Sequence, residues 1–156
     1  MPLWLICHPT GTFENNTTKQ ALSCDITAMY TGRGLPAFYS IVNFIKVAGN
    51  DVYMGGCPNT ENPFIRIMIN HIAITQPDTD EAYHRVTTRI SQILKPYVAD
   101  KEYDEDFHVD EIERRLRRCQ GMDPPPFGSE QEVVGYCQQS CCLEVNSLAL
   151  DLEAPT

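Results

Sequence analysis

The chain has 156 residues, is 42% apolar and 21% charged, and carries a net charge of −9. That composition excludes a disordered, collagenous or coiled-coil chain and fits one domain or two small fused repeats. The acidic balance argues against nucleic acid and anionic membrane surfaces as partners, and no apolar run approaches the ~20 residues of a bilayer span. Leu3 to His8 reads as a short buried strand stopped by Pro9-Thr10-Gly11. Thr17-x-x-Gln20 has the form of a capping box and predicts a helix to Tyr30, with Leu22, Ile26, Met29 and Tyr30 on its apolar face. Ala37 to Val47 is rich in β-branched and aromatic residues and predicts a second strand. Asp51 to Gly56 predicts a short hairpin-like strand with a glycine stop.

The pattern then restarts. Phe64 to Ile74 predicts a long apolar strand, and Asp78-x-x-Glu81 an N-cap with aspartate in the cap position. Tyr83, Val86, Ile90, Ile93 and Leu94 form a helical stripe that stops near Pro96. Tyr103 to Val109 predicts a strand, and Glu111 to Arg118 a charged helix or ordered loop. The openings of the two halves match: Met1-Pro2-Leu3-Trp4-Leu5-Ile6 against Asn62-Pro63-Phe64-Ile65-Arg66-Ile67, 63 − 2 = 61 residues apart. Two β-α units sharing one sheet follow from such a duplication. We expect pseudo-repeats over 2–61 and 63–110, within one domain over 1–128. Residues 129–156 would be a C-terminal arm or mobile tail.

Seven cysteines in a chain without a secretory signal predict reduced thiols and a cytoplasmic location. Cys137-x-x-x-Cys141-Cys142 lacks a second ligand pair at zinc spacing, so no metal is expected. Neither G-x-G-x-x-G nor a P-loop occurs, and no G-x-S-x-G, so nucleotide cofactors and serine hydrolysis have no support.

Pro2 is the residue best placed to carry chemistry. Removal of Met1 would leave it with a free secondary amine. An ordinary α-amino group titrates near 7.7–8.0, and burial or nearby cations lower that value. Such an amine can take or give a proton near neutral pH. Pro63 is an internal amide and has no basic lone pair.

With Pro2 leading into a buried strand of a duplicated β-α-β unit, the chain resembles the tautomerase superfamily. It is similar to the branch of cis-3-chloroacrylic acid dehalogenase, whose subunits are fused and double-length. The residues that carry the resemblance are Met1 to Ile6, the helix from Thr17 to Tyr30, Val42-Asn43-Phe44, Gly49 to Gly56 and Pro63 to Ile72, within 2–128. The Phe-Ile-Arg-Ile and Pro-Pro-Pro-Phe-Gly-Ser stretches match long members of the family. The resemblance implies an α/β fold: two fused β-α-β units forming a four-stranded mixed sheet, with two helices on one face. It also implies a homotrimer, no cofactor, and proton transfer on a small enolisable or unsaturated carbonyl acid.

Only Pro2 carries over intact. The family's histidine near the end of the first helix falls at Tyr30, and its carboxylate-binding arginine pair falls at Ile72 and Thr75. Its strand tyrosine falls near His108, and its water-activating glutamate near Cys119, with Glu111 close by. Dehalogenation is therefore not implied. Pro2, Tyr30 and His108 are the candidate catalytic residues. Candidate substrate-binding residues are Arg66, which could instead make an inter-subunit ion pair, and Arg33, which could instead be a solvated loop residue. His71 and Asn43 could equally be satisfied structural groups, and Arg115 belongs to a basic cluster that could simply pair with Glu111 and Glu113. The expected activity is cofactor-independent tautomerisation or isomerisation. The alternatives are a hydratase or decarboxylase of the same type, a biosynthetic-pathway member, or a trimeric scaffold without chemistry.

Overall fold

The computed structural model describes residues 1–59, 61–72, 75–118, 123 and 129. Strand β1 (Leu3–Pro9) runs into helix α1 (Asn16–Thr31) and back into strand β2 (Ile41–Val47). A two-residue hairpin follows, with β3 (Tyr53–Met54) pairing β4 (Cys57–Pro58). Gly55 and Gly56 join them at φ of 59° and 83°, the left-handed conformations that a tight hairpin turn requires and glycine adopts most easily. The second unit is β5 (Phe64–His71), α2 (Asp80–Leu94) and β6 (Asp104–Glu111).

The large sheet has the order β2-β1-β5-β6. β1 pairs β2 in parallel, β5 pairs β6 in parallel, and the two units meet where β1 pairs β5 antiparallel. The sheet is thus mixed, and its centre is the seam between the units. Strand alternation decides the layers. Trp4, Ile6, Ile65, Ile67 and Ile69 face the helices and are fully buried. They pack with Leu22, Ile26, Met29 and Tyr30 of α1 and with Val86, Ile90 and Leu94 of α2. Each fully buried aliphatic side chain contributes about 1.5–3 kcal/mol by leaving water.

The β-α-β plan agrees with the expectation, and the details correct it in four places. The α1 cap is Asn15, whose side chain accepts from Thr17 N at 2.7 Å, so the helix starts before the Thr17 box. The α2 cap is Thr79 rather than Asp78. Ala37–Tyr39, expected to open the second strand, forms a turn of 3₁₀ helix ahead of β2; the turn of 3₁₀ helix at Arg114–Leu116 falls within the stretch expected as a helix or ordered loop. Cys24 is disulfide-bonded, while Cys7 and Cys57 are free thiols, so the expected set of reduced cysteines does not hold. Among the described residues no helix is long and apolar enough to cross a membrane, and no group of side chains is suited to a metal. Cys119 and the expected arm over 129–156 lie outside the described residues, except Ser129.

Candidate active site

The seam between β1 and β5 places the candidate residues. Leu3 stands opposite Asn70, so one further step of the register sets Pro2 beside His71. Pro2 is buried, and its carbonyl accepts from Ile41 N at 3.1 Å, which fixes the start of β1 against β2. His71 O in turn accepts from Ile112 N at 2.7 Å, so the segment after β6 begins at the same end of the sheet. The last turn of α1 closes this pole from the helix side.

Three side chains from three elements form a buried chain of hydrogen bonds there. Trp4 Nε1 donates to Tyr30 Oη at 2.9 Å, and Tyr30 Oη lies 2.7 Å from His71 Nε2. The proton order follows from chemistry. An indole N–H can only donate, so it occupies a lone pair of the Tyr30 oxygen. Burial pushes the Tyr30 hydroxyl well above its ordinary value and keeps its proton on, so Tyr30 donates to His71 Nε2. His71 is only 3% exposed, and burial lowers its pKa to about 4, helped by the charges of Arg33 and the amino terminus. A neutral imidazole that accepts at Nε2 carries its proton on Nδ1. That Nδ1 is buried and has no hydrogen-bond partner among the described residues. An unsatisfied buried donor is costly to keep, so Nδ1 is a donor available to a further group.

Arg33 is exposed just beyond α1, where its backbone N donates to Tyr30 O at 3.0 Å, and its charge and that of the amino terminus disfavour a protonated His71. Pro2, Tyr30, His71 and Arg33 are thus brought to one pole.

The other expected residues are not. Arg66 and His108 lie on the sheet face away from the helices, with Arg66 2.9 Å from His108 Nδ1 and ion-paired to Asp106. Arg66 stands opposite Cys7, five residues along β1 from Pro2, or roughly 17 Å at about 3.4 Å per residue. Asn43 stands beside Leu5 on the same open face. Strand parity is the reason: Pro2 and His71 belong to the buried set, and Asn43, Arg66 and His108 to the opposite one. Within one protomer these three do not meet Pro2. Arg115 follows β6 but is exposed, and its guanidinium donates to Glu113 at 3.0 Å. Ile72, at the expected place of a carboxylate-binding arginine, is half-buried, and Thr75 is exposed.

A family model described as "Putative oxalocrotonate tautomerase enzyme" matches residues 1–136. The chain belongs to this tautomerase family. It is similar to the crystal structure of native RhCC from Rhodococcus jostii RHA1 at 35% identity and a TM-score of 0.75, over 83% of this chain and 91% of that one. A probable enzyme of the thermophilic fungus Aspergillus fumigatus is 38% identical with a TM-score of 0.73, over 86% and 91% of the two chains. Native fused 4-OT shares the fold at 16% identity and a TM-score of 0.58, over 78% of this chain and 94% of that one. No protein of curated function matches at a significant level.

Within the tautomerase fold, Trp4 is the site residue that sequence reading missed. It reads as one more apolar residue of β1. Its signal was chemical: a donor-only indole N–H on a buried strand must find an acceptor.

Proposed function

We propose that this tautomerase-family chain is a cofactor-independent isomerase whose base and acid is the Pro2 amine, exposed by removal of Met1. Met1 is half-buried ahead of Pro2, against the core. The observation that carries the reading is the neutral His71, held by Tyr30 with a free Nδ1–H, at the pole where β1 begins. Pro2 nitrogen takes the proton α to a substrate carbonyl, and the electron pair moves to the carbonyl oxygen. The His71 Nδ1–H stabilises the enolate so formed. The Pro2 ammonium then returns the proton at another carbon, or at oxygen. Burial disfavours a protonated Pro2, which suits it to act as a base at neutral pH.

The substrate class is a small enolisable carbonyl acid. The arginine pair is replaced by Ile72 and Thr75, so Arg33 is the cation left to meet a carboxylate at this pole. A homotrimer would complete the pocket. Ile41 and Ile45 are 37% and 41% exposed on the open sheet face, next to the half-buried Leu3, Leu5 and Met68. A neighbouring subunit is the natural cover for such a face, and the wild-type F6 and Q0 fused 4-OT proteins, which share this fold, are an asymmetric and a symmetric trimer.

Turnover of phenylenolpyruvate and 2-hydroxymuconate by the wild type, lost in Pro2→Ala, supports this reading. Equal turnover in both would overturn it. No turnover by either across a broad dienol panel would favour the scaffold, a reading that the loss of the arginine pair motivates.

A further inference from the structure

Most of the cationic side chains are engaged. Arg66 pairs with Asp106, Arg115 with Glu113, Arg118 with Asp123, Lys46 with Glu14 and Lys95 with Asp100. Arg117 lies over the Tyr39 ring. The side chains of Arg33, Arg85 and Arg89 make no ion pair or hydrogen bond with any described residue, and all three line one cleft. That cleft, about 580 Å³, lies between the end of α1 and the middle of α2, and also takes in His84, Thr88 and Gln92.

Three unpaired guanidiniums converging in a chain of net charge −9 are not a default surface. Arg85 and Arg89 are one turn apart on α2, where like charges repel and weaken the helix. Glu81, one turn before Arg85, forms no ion pair with it. Asp25, the one acid of α1, is engaged by the Tyr97 hydroxyl at 2.6 Å. No carboxylate lines the cleft. Gly32 and Met29 of the α1 terminus also line the cleft. The last turn of α1 borders the cleft with its negative end, so the three guanidiniums rather than a helix dipole supply the attraction for an anion.

We propose that the cleft between α1 and α2 is a second anion site, centred on Arg85 and Arg89 and adjoining the Pro2 pole through the shared Arg33, for a small ligand bearing two or more closely spaced oxyanions. Guanidinium forks bind carboxylate and phosphoryl oxygens bidentately, so either class satisfies the geometry. The dimensions admit a small molecule. A long polyanion such as nucleic acid would meet the acidic remainder of the chain and be repelled.

Isothermal titration of the full chain at low salt tests this, with pyrophosphate and citrate as probes and orthophosphate and acetate as single-anion controls. At least one probe should saturate near one per chain, at least tenfold tighter than its control. Which probe binds better assigns the phosphoryl or carboxylate class. The double variant Arg85→Gln/Arg89→Gln should weaken binding at least tenfold with an unchanged circular dichroism spectrum. If that variant does not fold, Arg33→Gln alone should weaken binding at least threefold. Pro2→Ala should bind as the wild type does, which separates this site from the proton-transfer site. Failure of both probes to saturate would overturn the proposal. So would undiminished binding by the folded arginine variants, or loss of binding in Pro2→Ala alone.

Discussion

The two β-α-β units end in two poles with the same backbone and different chemistry. At one pole the Pro2 carbonyl accepts from Ile41 N at 3.1 Å; at the other the Pro63 carbonyl accepts from Asp104 N at 3.0 Å. A buried histidine sits at each. His8, at the Pro63 pole, is satisfied: its Nδ1 lies 3.1 Å from Thr12 Oγ1 and 3.3 Å from Pro9 O. His71, at the Pro2 pole, has Nε2 engaged by Tyr30 and Nδ1 unmet. Burial lowers the pKa of both imidazoles, so their charge state does not distinguish them. The difference is hydrogen bonding. One pole is closed on itself, and the other holds a donor in reserve beside a strand that begins at an amine.

The sharpest way to break this comparison is to alter the two prolines. Pro2→Ala should lower kcat/KM on a dienol substrate by about 10²–10⁴-fold, the usual contribution of a placed proton-transfer group. Pro63→Ala should leave kcat/KM within about threefold, because an internal amide has no proton to move. Equal effects at the two positions would remove the asymmetry between the poles.

His71 sharpens it through pH. Its folded pKa, about 4, lies below the ordinary histidine value of 6.5, so the unfolded chain binds more protons between those limits. Stability then rises with pH across pH 4 to 6.5, and the part contributed by His71 is lost as pH falls through that window. The shift corresponds to about 3 kcal/mol. Urea denaturation of wild type and His71→Asn at several pH values should show the two stability curves converging by about that amount as pH falls from 6.5 to 4. Parallel curves would mean that His71 is not held neutral.

Tyr30→Phe should cost about 1–3 kcal/mol, since it strands the buried Trp4 N–H and His71 Nε2 at once. Thermal denaturation checks this, and a loss below about 0.5 kcal/mol would contradict the relay. The smallest effect belongs to the open face. Asp106→Asn breaks a partly solvated ion pair with Arg66 and should change the stability of the protomer by less than about 1 kcal/mol.

Much of the fold was legible from periodicity. The alternation of Ile65, Ile67 and Ile69 and the α2 stripe of Val86, Ile90 and Leu94 gave buried faces that the structure keeps. Cap positions slipped because neighbouring polar residues compete for the same role. Asn15 stands before Thr17, and Thr79 beside Asp78, and geometry rather than composition chooses between them. The site was legible in part. Tyr30 and His71 are 41 residues apart, and only the antiparallel seam joins them. Parity along β5 already separated Arg66 from the buried face of that strand, yet it does not say which face carries the chemistry. Trp4 was hidden because its apolar bulk fits a core strand as well as its indole fits a relay.

The central claim concerns one nitrogen, so the most direct measurement is a ¹⁵N NMR titration of the Pro2 amine in the mature protein. Burial at the start of β1, beside the neutral His71, predicts that it loses its proton below the ordinary α-amino range of about 7.7–8.0. A midpoint within or above that range, or a nitrogen that does not titrate because Met1 remains attached, would contradict the account.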